Sequence, residues 1–324
     1  MLPSRRTVLS ALSLATLGAA VACRQEPDPE SDGEVWVSGE FGTMPRVDFE
    51  TPLSISAPYT EEIITGEGTE LRDAAAVMLS YLAIDAVTGE TIRENYQESP
   101  EIMVLGEDAG VLHAELLGRT EGSRLLRVEL GTRERPNPTV LVYDIRHTTA
   151  WGEPVPAPKN DDQTPQVGTD DDGIPVVQVP DADPPADLQV VPVLRGDGPQ
   201  VRDGQAVTVR YSTYSWSTGE ITDTLWGEGM LPTTIPFTGL IPAWQNGLVD
   251  EQVGSRLILV TPPELAFGTE ALVFLIDVLA VSAMEENGED PEDGENGGEN
   301  GGEDGGEDGE NGGEDGGNEE EDTG

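Results

Sequence analysis

Ile241-Pro242-Ala243-Trp244-Gln245-Asn246-Gly247-Leu248-Val249 decides how the second half of the chain folds. Ile241, Trp244 and Leu248 stand at i, i+3 and i+7, one face of a short helix. The flanks are of another kind. Val207, Val209 and Tyr211 alternate with polar neighbours, as a half-buried strand requires. Residues 255–260 and 271–281 are β-branched, leucine-rich runs bounded by Gly and Pro. One short helix among roughly five strands predicts an α+β fold, an antiparallel sheet wrapped on that helix.

The same pattern occurs earlier in the chain. Gly66-Glu67-Gly68 recurs as Gly196-Asp197-Gly198, Gly89-Glu90 as Gly219-Glu220, and Pro45 matches Pro175. Gly122-Ser123-Arg124-Leu125-Leu126 recurs as Gly254-Ser255-Arg256-Leu257-Ile258, and Leu141-Val142-Tyr143 as Leu272-Val273-Phe274. The offset stays within 130 to 132, which indicates a duplication. Residues 35–152 and 187–284 are therefore expected as two domains. Between them, residues 153–186 are rich in Pro and Asp and read as a linker, stiffened by proline and extended by charge.

The two ends have a different character. Arg5 and Arg6 precede an uncharged apolar run at residues 8–21, too short to span a bilayer as a helix, which needs ~20 residues. Ala20-Val21-Ala22-Cys23 then resembles a lipobox. Residues 1–22 are expected to be a signal peptide and residues 23–34 a tether lipidated on Cys23, the only cysteine. The twin arginines serve twin-arginine export and ordinary secretion equally well. With Cys23 acylated no thiol remains for a disulfide, so the core alone must hold the fold. Residues 285–324 are almost entirely Glu, Asp, Gly and Asn, and a segment with so little apolar surface is expected to stay disordered. The repeats lack the fixed ligand spacing of a calcium loop, so a solvated, self-repelling tail is the expectation. A net charge of −46 argues against nucleic acid as a partner.

The second copy carries a more specific string. Gly196-Asp197-Gly198-Pro199, Gly219-Glu220-Ile221-Thr222-Asp223-Thr224 and Leu240-Ile241-Pro242-Ala243-Trp244 follow one another. Val253-Gly254-Ser255-Arg256, Pro262-Pro263-Glu264-Leu265-Ala266-Phe267-Gly268 and Leu272-Val273-Phe274 complete it. In this order and spacing, residues 188–283 resemble an FKBP-type peptidyl-prolyl cis-trans isomerase domain. The resemblance implies Trp244 as the floor beneath a substrate proline ring and Asp223 at the rim. Tyr211 and Phe274, with Ile235, Phe237, Leu240, Ile241 and Leu265, are implied as the walls. Such chemistry needs neither nucleophile nor cofactor, because the barrier of ~18–20 kcal/mol lies in amide resonance. An apolar, tight pocket lowers it by favouring the twisted amide.

Departures from the family pattern qualify that expectation. Thr222 stands where an aromatic is usual, and Phe267 keeps a ring where the family has tyrosine but loses the hydroxyl. Gly268-Thr269-Glu270 passes straight to the last strand, so the pocket is expected to be shallow and open on one side. In the first copy Tyr81 takes the place of Tyr211, Tyr143 that of Phe274 and Arg93 that of Asp223. Leu112 and His113 sit where the tryptophan would be, so this copy is expected to keep the fold without the site. His113 and His147 lack metal-ligand spacing, and no metal site is expected.

The expectation is thus a prolyl isomerase at the outer face of the cytoplasmic membrane, tethered through a lipid. Its partners would be proline-containing unfolded or nascent exported polypeptides. The alternative is a non-catalytic FKBP-like chaperone or binding lipoprotein of the envelope. Retention of Asp223 and Trp244 in one copy only favours the enzyme, and a third idea is a structural envelope lipoprotein with an acidic tail.

Overall fold

Strands of the first part of the chain form one antiparallel sheet. In the computed structural model, which describes residues 33–156 and 163–283, these are β3 (Tyr59–Ile64), β4 (Ala76–Asp85), β5 (Thr91–Glu94), β6 (Glu101–Val104), β7 (Arg124–Glu129) and β8 (Thr139–Arg146). They run in the order β3-β7-β8-β4-β5, with β6 also on β4, and enclose helix α1 (Val111–Leu116). A hairpin, β1 (Val35–Ser38) with β2 (Arg46–Phe49), packs Val35, Val37, Val47 and Phe49 against the other face of this sheet.

The second lobe repeats the plan. It comprises β9 (Glu153–Pro154), β10 (Gln166–Thr169), β11 (Pro175–Gln178), β12 (Gln189–Arg195), β13 (Gln205–Ser215), β14 (Ile221–Thr224), β15 (Thr233–Pro236), α2 (Pro242–Leu248), β16 (Arg256–Thr261) and β17 (Leu272–Ala283). The sheet order is β14-β13-β17-β16-β12-β9, with β15 on β13. Strand for strand this is the order of the first sheet, with β9 added at the edge. The fold is α+β, antiparallel sheets each wrapped on one short helix. Cys23, the proposed signal and the acidic segment from Glu285 lie outside the described residues. Among the described residues no helix is long and apolar enough to cross a membrane.

The expected linker is largely a folded element. Residues 166–178 form the β10–β11 hairpin, whose register Val167↔Val177 repeats Val37↔Val47 of β1–β2. Val177 is buried against Tyr214, Trp216, Ile258, Val273 and Leu275, while Tyr214 Oη accepts from Val177 N at 3.1 Å. Trp216 Nε1 donates to Ala182 O at 2.8 Å. Asp170, Asp171 and Asp172 sit in the tight turn, where Asp170 Oδ1 accepts from Asp172 N and Ile174 N. The repeat unit therefore consists of a hairpin followed by a sheet, and the matching prolines Pro45 and Pro175 mark the hairpins.

Two further expectations change. β13 is buried on both faces: Thr208, Arg210 and Ser212, the polar neighbours of the alternation, lie under other structure. Thr208 pairs with Thr234 and Ser212 with Thr224 through their hydroxyls, and the Arg210 guanidinium lies 5.0 Å from the Trp226 ring centroid. The register of the last strand also differs. A buried pair, Arg124 with Asp144, locks β7 to β8, and Arg256 with Asp277 locks β16 to β17. Aligned on these pairs, Leu141 lies across from Arg127 as Phe274 lies across from Leu259. The counterpart of Phe274 is Leu141, not Tyr143, whose own counterpart is Ile276. The short apolar strings of the two strands are alike, but the buried charge pair sets their register.

The core of the second lobe lies between the concave face of the sheet and α2, around Val207, Val209, Leu248, Leu257, Leu259 and Ile276. Each such fully buried aliphatic side chain contributes about 1.5–3 kcal/mol relative to exposure. Helix α2 starts without a side-chain cap, but Pro242 occupies its first turn, where its missing N–H costs nothing. Gln245 Nε2 reaches back to Phe237 O and Leu240 O, satisfying carbonyls of the preceding turn. Gly247 lets the helix sit close on β16, since a Cβ there would come within 2.7 Å of Leu259 Cδ2. This seating presents Trp244 to the sheet.

Candidate functional site

On the concave side of the second sheet, side chains from five places in the chain enclose a cavity of about 380 Å³. Trp244, carried by α2, is buried at its base with its indole edge-to-face against two other rings. Tyr211 of β13 stands 5.1 Å away between centroids at 81°, and Phe274 of β17 5.5 Å away at 87°. T-shaped pairs of this kind each add about 0.5–1.5 kcal/mol beyond area burial, so three rings hold one another in place. The Trp244 indole N–H is buried without a hydrogen-bond partner. Ile235, Leu240 and Ile241 complete an apolar wall.

The rim is polar. Tyr211 Oη donates to Asp223 Oδ2 at 2.7 Å, joining β13 to β14, whose register pairs Thr213 with Asp223. Burial, with the hydrogen bond to Asp223 and its charge, pushes the Tyr211 phenol up to about 12. Tyr211 is thus a neutral donor throughout the physiological range. Thr222 Oγ1 donates to Thr213 O at 3.3 Å, so the residue in the usual aromatic position is tied to the sheet. Phe267 lies at the lip with two-thirds of its surface exposed.

Eight of the ten site residues expected from the sequence meet here: Tyr211, Asp223, Ile235, Leu240, Ile241, Trp244, Phe267 and Phe274. Phe237 and Leu265 do not line the cavity. Phe237 is buried in the core, and Leu265 packs against that same core from a short turn, Pro263–Leu265. Thr213, Gly239, Thr269, Glu270 and Leu272 line the cavity without standing out in the motifs. Thr213 and Leu272 were legible in principle, being two residues from Tyr211 and Phe274 on the same strand faces.

The corresponding place in the first lobe holds a cavity of about 230 Å³ with charge at its base. Arg127 forms an ion pair with Glu115 and donates to Glu129 at 2.7 Å, while Tyr143 Oη donates to Glu115 Oε2 at 2.6 Å. By register and helix position, Arg127 replaces Leu259 and Glu115 replaces Gly247. Leu112 stands in for Trp244, and the Arg93 guanidinium lies 5.7 Å from the Tyr81 ring centroid. A proline ring would meet an ion pair instead of an indole. His113 faces Asp73 at 3.1 Å and His147 stacks on Trp151 at 4.5 Å.

The second lobe's sequence is matched among known proteins. A family model described as FKBP-type peptidyl-prolyl cis-trans isomerase matches residues 198–280, from the loop before β13 into β17. A Corynebacterium glutamicum protein described as "Probable FK506-binding protein" is 35% identical over 115 residues, 33% of this chain and 97% of the relative. The chain belongs to the FKBP-type peptidyl-prolyl cis-trans isomerase family. The FK506-binding protein of Streptomyces anulatus is likewise 35% identical over 119 residues, 33% of this chain and 96% of the relative. Among solved structures, FkpA from Escherichia coli matches at 28% identity and a TM-score of 0.27, over 36% of this chain and 52% of that one. In an FKBP-type pocket the reaction is rotation about a single amide bond. A buried, apolar floor favours the twisted amide, in which resonance and charge separation are lost. In the second lobe Trp244, Tyr211, Phe274, Ile235, Leu240 and Ile241 line an apolar cavity.

Proposed function

We propose that the second lobe is a working prolyl isomerase for exported polypeptides, held at the outer face of the cytoplasmic membrane by a lipid on Cys23. The observation that carries the catalytic part is the buried Trp244, braced edge-on by Tyr211 and Phe274 beneath an open apolar cavity with Asp223 at its rim. Trp244 supports the proline ring, and Ile235, Leu240 and Ile241 exclude water around it. The Tyr211–Asp223 pair places a fixed carboxylate where the carbonyl before the proline turns. Absence of the usual tyrosine hydroxyl at Phe267 removes one donor to substrate, which lowers the rate without removing the pocket. The first lobe, with Glu115 and Arg127 in its cavity, takes no part in the chemistry and spaces the site from the membrane.

The test is an isomerisation assay on the protein from Cys23 onward, with proline tetrapeptides. Trp244→Ala and Asp223→Ala are each expected to lower kcat/KM at least about tenfold, a loss of roughly 1.4 kcal/mol of transition-state stabilisation. No acceleration by the unsubstituted protein, or full activity in Trp244→Ala, would sink the enzymatic reading. Suppression of client aggregation unaffected by either substitution would then favour a non-catalytic chaperone. The anchor is tested separately: Cys23→Ser is expected to move the protein from the membrane fraction to the soluble one.

A further inference from the structure

We propose that Glu270 is a specificity-determining residue that selects polypeptides with a lysine or arginine next to the proline; this deepens the isomerase reading and rests on it. Two carboxylates, Asp223 and Glu270, line the cavity, and no Lys, Arg or His does. Glu270 occupies the lip because the connection to the last strand is so short. Gly268, at φ +78°, turns the chain, and its N–H donates to Pro263 O at 2.8 Å. Two residues later Glu270 is already next to the sheet, where Trp216 N donates to Ala271 O and Ser215 stands opposite Leu272.

The side chain is fixed as well as the backbone. Ser215 Oγ and Ser217 Oγ both donate to Glu270 Oε2, at 2.5 and 3.0 Å. These hydrogen bonds hold the carboxyl below its usual range, so it is ionised wherever the protein is folded at neutral pH. Free glutamate loses rotamer entropy when it pairs with a ligand, whereas an anchored one has already lost it. An extended peptide whose proline sits on Trp244 runs over the residues that line this cavity, Glu270 and Asp223 among them. A cationic neighbour of the proline meets Glu270 and Asp223 there, and an anionic neighbour is repelled by both. The net charge of −46 acts in the same direction but without regard to position in the peptide.

The experiment uses the protein from Cys23 onward and tetrapeptides that differ only in the residue before or after proline, Lys, Leu or Glu. The expected order of kcat/KM is Lys, then Leu, then Glu at one of the two positions, narrowing as salt is raised. Glu270→Gln is expected to cut the Lys-to-Leu ratio about threefold, the scale of an exposed ion pair. Asp203→Asn, an exposed acid of the same lobe outside the cavity, is expected to leave that ratio unchanged. Equal rates for Lys and Leu at both positions, or a ratio indifferent to Glu270→Gln, would overturn the proposal. A ratio that falls equally in Asp203→Asn would do so too, by assigning the preference to overall charge. Should no peptide be accelerated, the isomerase reading fails, and calorimetric affinities for the same peptides decide this one by the same ratios.

Discussion

Tyr211 and Glu251 show how single residues divide the work of the second lobe. Tyr211 stays protonated, and its donation to Asp223 is geometry that serves the site. Glu251 serves nothing visible in the cavity: it follows α2, its N–H donates to Leu248 O, and burial raises its carboxyl against the opposing pull of Arg195. A carboxyl whose folded pKa lies above the unfolded value makes the folded state less stable once it ionises. The cost is fully present above the folded pKa and vanishes as the pH falls below the unfolded value of about 4.3. Glu251→Gln is therefore expected to raise the melting midpoint at pH 7 by roughly 1–2 °C, screening by solvent keeping the effect small. Melts near pH 3.5 should show no difference, and an advantage persisting there would point to packing instead of charge. At this scale the sequence was most informative where order and spacing worked together. Asp223 and Trp244 were legible because they fall within motifs, while Glu270 belongs to a stretch that reads as a bare turn.

Helix α2 on strand β16, and their counterparts helix α1 and strand β7, carry the difference between a site and a mere fold. In the second lobe Gly247 faces Leu259, and the close approach sets Trp244 at the base of the cavity. In the first lobe Glu115 and Arg127 occupy the same two places and fill them with an ion pair. Gly247→Ala puts a Cβ 2.7 Å from Leu259 Cδ2 and 2.9 Å from its Cδ1, with Leu259 itself fully buried. The helix must then lift, which costs about 1–3 kcal/mol in an otherwise well-packed core. Chemical denaturation should show that loss, and isomerase kinetics should show a further drop because Trp244 is one turn away. Unchanged activity at reduced stability would mean that the indole does not depend on helix seating. Elements were also where sequence patterns misled. The Pro and Asp of the β10–β11 hairpin look like a spacer because its turn is acidic and its strands are short, and only Val167 and Val177 disclose the packed face. The apolar string around Tyr143 resembles that around Phe274, but the register follows Arg124–Asp144 and Arg256–Asp277, each pair about twenty residues apart in sequence.

Across the whole molecule the two lobes meet along a seam that the duplication itself did not supply. β13 and β17 carry a bulge, with Thr208 opposite Ala280 and Val209 opposite Val278, so Leu279 is the extra residue. The β4–β8 ladder of the first lobe has no such shift. A bulge re-aims the side chain it carries, and Leu279 is buried together with Ala280 against Met78 of the first lobe, with Ile102 packed alongside. Polar links lie beside this cluster. Ala150 N donates to Asp277 Oδ2 at 2.7 Å, Ser99 and Ser282 pair through their hydroxyls at 3.0 Å, and Ala283 N donates to Gln97 O at 3.3 Å. Trp151 N and Gly152 N also donate to Gly254 O, at 3.2 and 3.0 Å, and Trp151 packs on the core of the second lobe, so polar links and apolar packing together make unfolding of one lobe felt by the other. Leu279→Ala removes about 2–5 kcal/mol of packing, because the bulged backbone cannot follow the side chain into the gap. Calorimetry of the unsubstituted protein should give one transition, since loss of either lobe exposes Met78 and Leu279 together. In Leu279→Ala the endotherm should resolve into two, with isomerase activity following the transition of the second lobe. A single transition merely shifted downward would place the coupling in the remaining links, those of Ala150 N to Asp277 and of Trp151 and Gly152 to Gly254 O among them.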